Sequence, residues 1–532
     1  MASCIKHFAA YGAVQGGRDY NVTELFEHTL FEDYLVSYRA AVKAGVSMVM
    51  TAFNTIDRQP CTTNKKLLRD ILREEMGFEG VVISDYGAVS ESVTHGSSDD
   101  RRDAAKKAVE AGCDIDMMSE CYLHNLESLV RGGEIPESLI DEAVMHILVL
   151  KNKLGLFENP YKDASEEDEK KYHFCKEHRK LSREAAEEST VLLKNNGILP
   201  LNEKKKIAVV GSLADDNEIT GSWALFVDKS QTVTLKRAIE ELYPNADVTF
   251  IPSDEITENM LAAAEKAEAV IIALGENQTQ SGESFSKADI SLSRKHTELF
   301  NAVYGVNKKI IAMLFGGRPL AVPELAEKAS AIIEAWLPGS CGCYALADIL
   351  FGKVNPSGRL SMSMPYCSGQ LPLSYTSFST GRPKPEMDGF CPYVSNYMDV
   401  PNVPLYPFGY GLSYSEAEYS GISLDKIILK TGEKITASVT VRNNGEIAVK
   451  EAVQLYIRDI KGSVVRPLRE LKGLQKIYLE AGGEKKVTFE ITEEMLRFYD
   501  INMQFISEPG DFTLWIGHDS LTENSTDFRL EK

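Results

Sequence analysis

A run of β-branched residues that stops on an acid constrains this chain more than any other feature. In Gly77-Phe-Glu-Gly-Val-Val-Ile-Ser-Asp85-Tyr86-Gly87, three apolar residues, Val81, Val82 and Ile83, follow one another without polar alternation. That is the pattern of a parallel strand covered on both faces. Gly77 fits the stop of a preceding helix, and Gly87 frees the loop behind the strand. Asp85 falls at the strand's carboxyl end, where α/β sheets and barrels bind their ligands. Two readings stay open for it: a functional acid, or the N-cap of the next helix.

The first 150 residues alternate strand and helix. Strands are expected at 4–11, 47–53, 80–84 and 114–118. Between the second and third, Asn64 caps a helix with Leu67, Leu68, Ile71, Leu72 and Met76 on one face. Repeated βα units spell a parallel sheet or a barrel. Four cannot close an eight-stranded barrel, although they suffice for a small open sheet.

Residues 158–178 are rich in Glu, Lys and Asp and read as a linker, followed by a helix over 179–195. A second α/β stretch follows, with strands at 207–211, 247–251, 269–274, 309–314 and 331–336. The third of these ends on Gly275-Glu276-Asn277 and a polar loop that carries Glu283. Residues 365–415, rich in Pro, Gly and Tyr, show no periodic element and read as an ordered connecting loop. From 416 the period becomes two: Ile435, Ala437, Val439 and Val441, then Val453, Leu455 and Ile457, then Val487, Phe489 and Ile491, then Phe512, Leu514 and Ile516. With the turn Asn443-Asn444-Gly445, this predicts an antiparallel β-sandwich.

At 532 residues the chain exceeds one core. A net charge of −20 argues against nucleic acid and anionic membranes as partners, and no run is long and apolar enough to span a bilayer. Nine Cys without paired spacing favour a reducing, cytoplasmic setting. Neither the nine His nor Cys341-Gly-Cys343 form a metal-binding pattern, so no metal or cofactor is expected.

Two acids, Asp85 and Glu283, thus lie at strand ends of two different domains. Lys6 and His7, Arg18 in the following Gly16-Gly17 loop, and Phe53 would join Asp85 by barrel logic. An ionised acid opposite a protonated one suits retaining glycoside hydrolysis, where nucleophile and acid/base stand about 5–5.5 Å apart. Each residue has a plainer reading. Lys6 and His7 can be ordinary strand-end residues, Arg18 a surface partner of Asp19, and Phe53 core. Asp114 and Asp116 compete with Asp85, and Glu276 with Glu283; spacing alone leaves these contests open.

The motifs in combination resemble glycoside hydrolase family 3. They are Lys6-His7-Phe8-Ala-Ala-Tyr-Gly, Gly16-Gly-Arg18-Asp-Tyr-Asn21, Val49-Met-Thr-Ala-Phe53-Asn54 and the Asp85 strand. They continue with Glu188-Ser-Thr-Val-Leu-Leu-Lys-Asn195, Gly316-Gly-Arg-Pro-Leu320, Ala335-Trp-Leu-Pro-Gly339, Asn355-Pro-Ser-Gly358 and Tyr406-Pro-Phe-Gly-Tyr-Gly-Leu-Ser413. The resemblance covers nearly the whole chain and is nearest to the periplasmic-type bacterial β-glucosidases of that family. It implies a (β/α)8 barrel, an α/β sandwich and a fibronectin type III-like domain. Here these fall on 1–157 (the last four βα units), 179–364 and 416–532, joined by 158–178 and 365–415.

The resemblance also implies exo-acting, retaining release of a β-linked sugar from a glycoside or oligosaccharide. Asp85 would be the nucleophile and Glu283, in Ser281-Gly-Glu283, the acid/base. Lys6, His7 and Arg18 would hold the sugar, with Phe53 and Tyr86 beside it. Tyr86 stands where many members have Trp, Phe53 where some have Tyr, and Lys287 where Arg is common. Members carry half a barrel before the Lys-His-Phe strand, so the expectation is an amino-terminally truncated member with two open sheet edges and exposed apolar interior, which invite aggregation. The alternatives are a β-xylosidase or related exo-glycosidase, a catalytically impaired fragment, and sugar binding by the second domain alone, which leaves Asp85 and Lys6-His7 unused. A homo-oligomer is compatible with all of them.

Overall fold

The computed structural model describes residues 1–161, 165–225, 227–385, 387 and 389–532. Part of the expected linker (162–164) and two positions of the connecting loop (386 and 388) lie outside them. Among these residues the chain forms two compact units, 1–171 and 172–532.

The first unit is built on a parallel sheet of β1 (Cys4–Phe8), β2 (Met48–Thr51) and β3 (Val81–Ile83), in that order. Val49, Val81 and Val82 are fully buried, as the uninterrupted apolar pattern demands. The fourth expected strand is reduced to one parallel bridge, Ile83 to Ile115, although backbone bonds still join the segment to 82–87. The first strand also stops early: the chain turns tightly over Tyr11–Ala13. The helix Lys66–Glu75 is capped as expected, with the Leu67 amide donating to Asn64 Oδ1 at 3.1 Å. It ends at Gly77, which has φ +72°.

The second unit holds a six-stranded sheet. Its strands are β4 (Val191–Asn195), β5 (Ile207–Val210), β6 (Val248–Ile251), β7 (Ala269–Gly275), β8 (Ile310–Phe315) and β9 (Ala331–Trp336), in the order β4-β9-β8-β7-β5-β6. β4 runs antiparallel to β9; the other pairs are parallel. The helix expected over 179–195 is corrected here. It spans Lys176–Ser189, and Val191, Leu192 and Leu193 are buried in an edge strand. The β-branched pair Thr190-Val191, buried on both sides, favours the strand. Two apolar clusters fill the faces of this sheet, one around Val209, Ile271 and Met313, the other around Val210, Ile272 and Leu314.

The carboxyl-terminal part is the β-sandwich its alternation predicts. One sheet pairs Lys434–Asn443 with Glu484–Thr492; the other pairs Val449–Asp459 with both Glu470–Leu479 and Gly510–Gly517. Val439, Leu455, Phe489 and Leu514 share its core. The sandwich is tied to the α/β layer by ionic contacts. Glu188 pairs with Lys450 and Lys476. Buried Glu451 accepts from Arg359 Nη2 and from the Tyr419 hydroxyl, each at 2.7 Å.

Candidate functional site

In the first unit, the carboxyl end of β3 is sewn to the neighbouring segment. The Ser84 amide donates to Ile115 O, the Met117 amide to Ser84 Oγ, and the Gly87 amide to Met117 O. This fixes Asp85, which is only 7% exposed. Its Oδ1 accepts from the Tyr86 amide at 2.7 Å. Its Oδ2 is buried and accepts no hydrogen bond from the described residues. His7 Nε2 lies 3.1 Å from that oxygen, close enough for an ion pair though not aligned as a hydrogen bond. The next helix takes Gly87 as its N-cap, with no side-chain cap. Asp85 is therefore not spent on capping it.

The competing acids are engaged. Asp114 Oδ2 accepts from the Val82 amide at 2.7 Å and from Arg73 Nη2 at 2.8 Å, while Oδ1 lies 2.9 Å from His146 Nδ1. Asp116 accepts from Ser119 Oγ and the Tyr122 amide. Both hold local structure.

Around Asp85 the expected residues divide. His7 is half-buried, with its ring edge-on to Tyr11 at 5.4 Å. Phe53 is 8% exposed and packs against Tyr20 at 5.2 Å and Tyr11 at 5.9 Å, so it acts as a wall of an aromatic cluster rather than an open platform. Tyr86 is 63% exposed. Lys6 and Arg18 are exposed. Two further residues of this region, Tyr11 and Asn54, stand in the motifs but carry no role that the sequence assigns. Tyr11 donates to Asp19; burial and that bond push its hydroxyl well above its ordinary pKa, so it remains a donor. Asn54, fully buried, donates to Ala9 O at 3.2 Å. Neither spacing nor composition flags a residue whose partner, Asp19 or Ala9, is brought to it by the turns of the chain.

In the second unit, β7 ends at Gly275, with φ +128°; a Cβ there would stand 1.9 Å from Phe315 O, so only glycine fits. Glu276 follows, 3% exposed, held by Lys287 Nζ at 2.5 Å and Arg318 Nε at 2.8 Å. Glu283 is exposed on the loop beyond. Next to it Gly282, with φ +115°, lies so close to Ser222 that a Cβ would meet its Oγ at 2.1 Å. Glu276 is thus an internal anchor and Glu283 a presented carboxyl. A pocket of about 370 Å³ opens beside this loop, lined in part by Thr220, Leu225, Gln278 and Phe285. The described residues hold no group of three or more His, Cys, Asp or Glu placed to bind a metal ion, and all nine Cys are unpaired thiols.

Comparison with known proteins accounts for this arrangement. Residues 1–150 match the glycosyl hydrolase family 3 N-terminal domain, 190–414 its C-terminal domain, and 451–520 a fibronectin type III-like domain. The periplasmic β-glucosidase of Salmonella typhimurium is 37% identical, over 100% of this chain and 74% of its own length. A putative β-xylosidase of Formosa agariphila is 34% identical, over 100% of this chain and 70% of its own. The crystal structure of a mutant β-glucosidase from Listeria innocua in complex with laminaribiose superposes with a TM-score of 0.97 at 41% identity, covering 100% of this chain and 74% of that one. The same enzyme in complex with glucose gives 0.96 at 42%. The cytoplasmic expectation is corrected by the Salmonella relative, a periplasmic enzyme. Unpaired cysteines, most of them buried or half-buried, report the absence of a disulfide framework and not the compartment. No described helix is long and apolar enough to cross a membrane. Three family models in order along the chain, and relatives aligned over its full length, carry one conclusion: it belongs to glycosyl hydrolase family 3.

Proposed function

We propose that this chain is an exo-acting β-glucosidase, releasing terminal β-D-glucose from β-glucosides or oligosaccharides with retention of configuration. Family membership makes it a glycosidase acting on O-glycosyl bonds. Solved relatives that carry glucose, laminaribiose or isofagomine support glucose as the sugar. We assign the nucleophile to Asp85 and the acid/base to Glu283, with Lys6, His7, Arg18, Phe53 and Tyr86 binding the sugar. The parallel sheet of residues 1–157 is read as the last four βα units of a (β/α)8 barrel. The observation that carries the reading is Asp85 Oδ2, a buried carboxylate oxygen at a strand's carboxyl end that faces His7 and accepts no hydrogen bond from the described residues.

In this reading an Asp85 oxygen attacks the anomeric carbon. The glycosidic C–O bond breaks, and Glu283 gives its proton to the departing oxygen. Water then attacks the glycosyl ester, returns a proton to Glu283 and frees Asp85. Asp85→Ala is expected to lower kcat by several orders of magnitude. Glu283→Ala should cost about 10²–10⁴-fold on unactivated glucosides. An Asp85→Ala variant that keeps the parent's kcat overturns the assignment. The β-xylosidase reading rests on the Formosa relative; kcat/KM on paired nitrophenyl glucoside and xyloside separates the two.

A further inference from the structure

The loop that presents Glu283 is clamped from within by one side chain that the mechanism above does not use. Arg318 belongs to the run Gly316-Gly317-Arg318-Pro319 that follows β8. Its Nε donates to Glu276 Oε2 at 2.8 Å, at the start of the loop. Its Nη2 donates to Gln280 O and to Phe285 O, both at 2.7 Å. These two carbonyls flank Glu283 on either side in sequence.

Between them the Phe285 amide donates to Gly282 O at 3.1 Å, and Ser284 takes a left-handed backbone with φ +66°. The turn carrying Glu283 is thus closed on itself and pinned at both shoulders by one planar cation. Glu276, almost fully buried, makes that cation's position obligatory. It would otherwise be a buried charge short of a partner, and Lys287 Nζ covers only its other oxygen, Oε1. Gly317 lets the two segments approach: a Cβ on it would meet Ser281 Oγ at 2.8 Å.

We propose that Arg318 is a positioning residue for the acid/base. It sets where the Glu283 carboxyl stands by fixing the loop backbone, without touching the sugar. The inference rests on reading Glu283 as the acid/base. A lysine cannot replace it: one ammonium on a flexible stem does not reproduce a rigid fork that reaches a carboxylate and two carbonyls at once. A reacting group displaced by about 1 Å costs about 10²-fold.

The test uses Arg318→Lys in the full chain, with Glu283→Ala as reference. On cellobiose, whose leaving group needs a proton, kcat/KM of Arg318→Lys is expected to fall about 10²-fold. On 2,4-dinitrophenyl β-glucoside, whose leaving group needs none, kcat/KM should stay within a few-fold of the parent, and added azide should raise kcat. A purely structural role would lower both substrates in parallel, and that result overturns the proposal. If Glu283→Ala itself lacks the leaving-group signature, the acid/base assignment fails instead. Hydrogen exchange gives a reading independent of turnover. Amides of residues 277–287 should exchange faster in Arg318→Lys than in the parent, with β7 and β8 unchanged; unchanged exchange across that loop overturns the proposal.

Discussion

A carboxyl group at a strand end is explained by what donates to it, and those donors lie on other elements. Asp85, Asp114 and Asp116 look alike in the sequence. In the fold, Asp114 has Arg73, His146 and the Val82 amide, Asp116 has Ser119 and the Tyr122 amide, and Asp85 keeps one oxygen that accepts no hydrogen bond from the described residues. Glu334 is a further buried acid, on β9, accepting, among the described residues, only from the Trp336 amide at 3.2 Å. Burial pushes its carboxyl up to about 8 from an ordinary 4.5. In the folded protein it holds its proton to about pH 8, whereas the unfolded chain releases it near 4.5. Its stabilising contribution is therefore complete below pH 4.5, declines between 4.5 and about 8, and is gone above that. Glu334→Gln, which cannot ionise, should flatten the pH dependence of urea unfolding across this window and be more stable than the parent by about 2–4 kcal/mol at its upper end. Parallel pH curves for the two proteins would contradict this.

At the scale of elements, periodicity found what it is suited to find. The parallel strands β2, β3 and β5–β9, the capped helix after Asn64 and the alternating strands of the sandwich emerge close to where the patterns put them. Two departures stand out. Val191–Asn195 patterns as the end of a helix because an antiparallel edge strand, buried on both faces, lacks the alternation that would mark it. Residues 114–118 pattern as a strand, yet they form a single bridge at Ile115, and the Asp114 and Asp116 side chains hold Arg73, Ser119 and backbone amides. The Asp114 contacts stabilise the unit. The Arg73–Asp114 pair has side chains only 11% and 3% exposed, so Arg73→Leu leaves a buried carboxylate with one charged partner fewer. The expected cost is about 3–5 kcal/mol, read as a lower thermal midpoint of the unit containing residues 1–171. A midpoint unchanged within error would show that the pair is dispensable.

For the whole molecule, the class was legible and the setting was not. Strand–helix alternation followed by period-two strands announces an α/β protein with a β-sandwich at its end, and the motif combination resembles the family that the comparisons show. Net charge and cysteine count do not report the compartment, and the cytoplasmic expectation drawn from them is overturned by the periplasmic relative. The choice of Glu283 over Glu276 was carried by the resemblance and not by spacing; the structure adds that Glu276 is locked between Lys287 and Arg318. The proposed division of labour, a nucleophile from the first unit and an acid/base from the second, stands or falls on Asp85. Incubating the full chain with 2,4-dinitrophenyl 2-deoxy-2-fluoro-β-glucoside, digesting it and sequencing the labelled peptide by mass spectrometry tests this directly. The account requires one fluoroglucosyl group per chain, on Asp85, and none in Asp85→Ala. A label on any other residue, or no label at all, would contradict it.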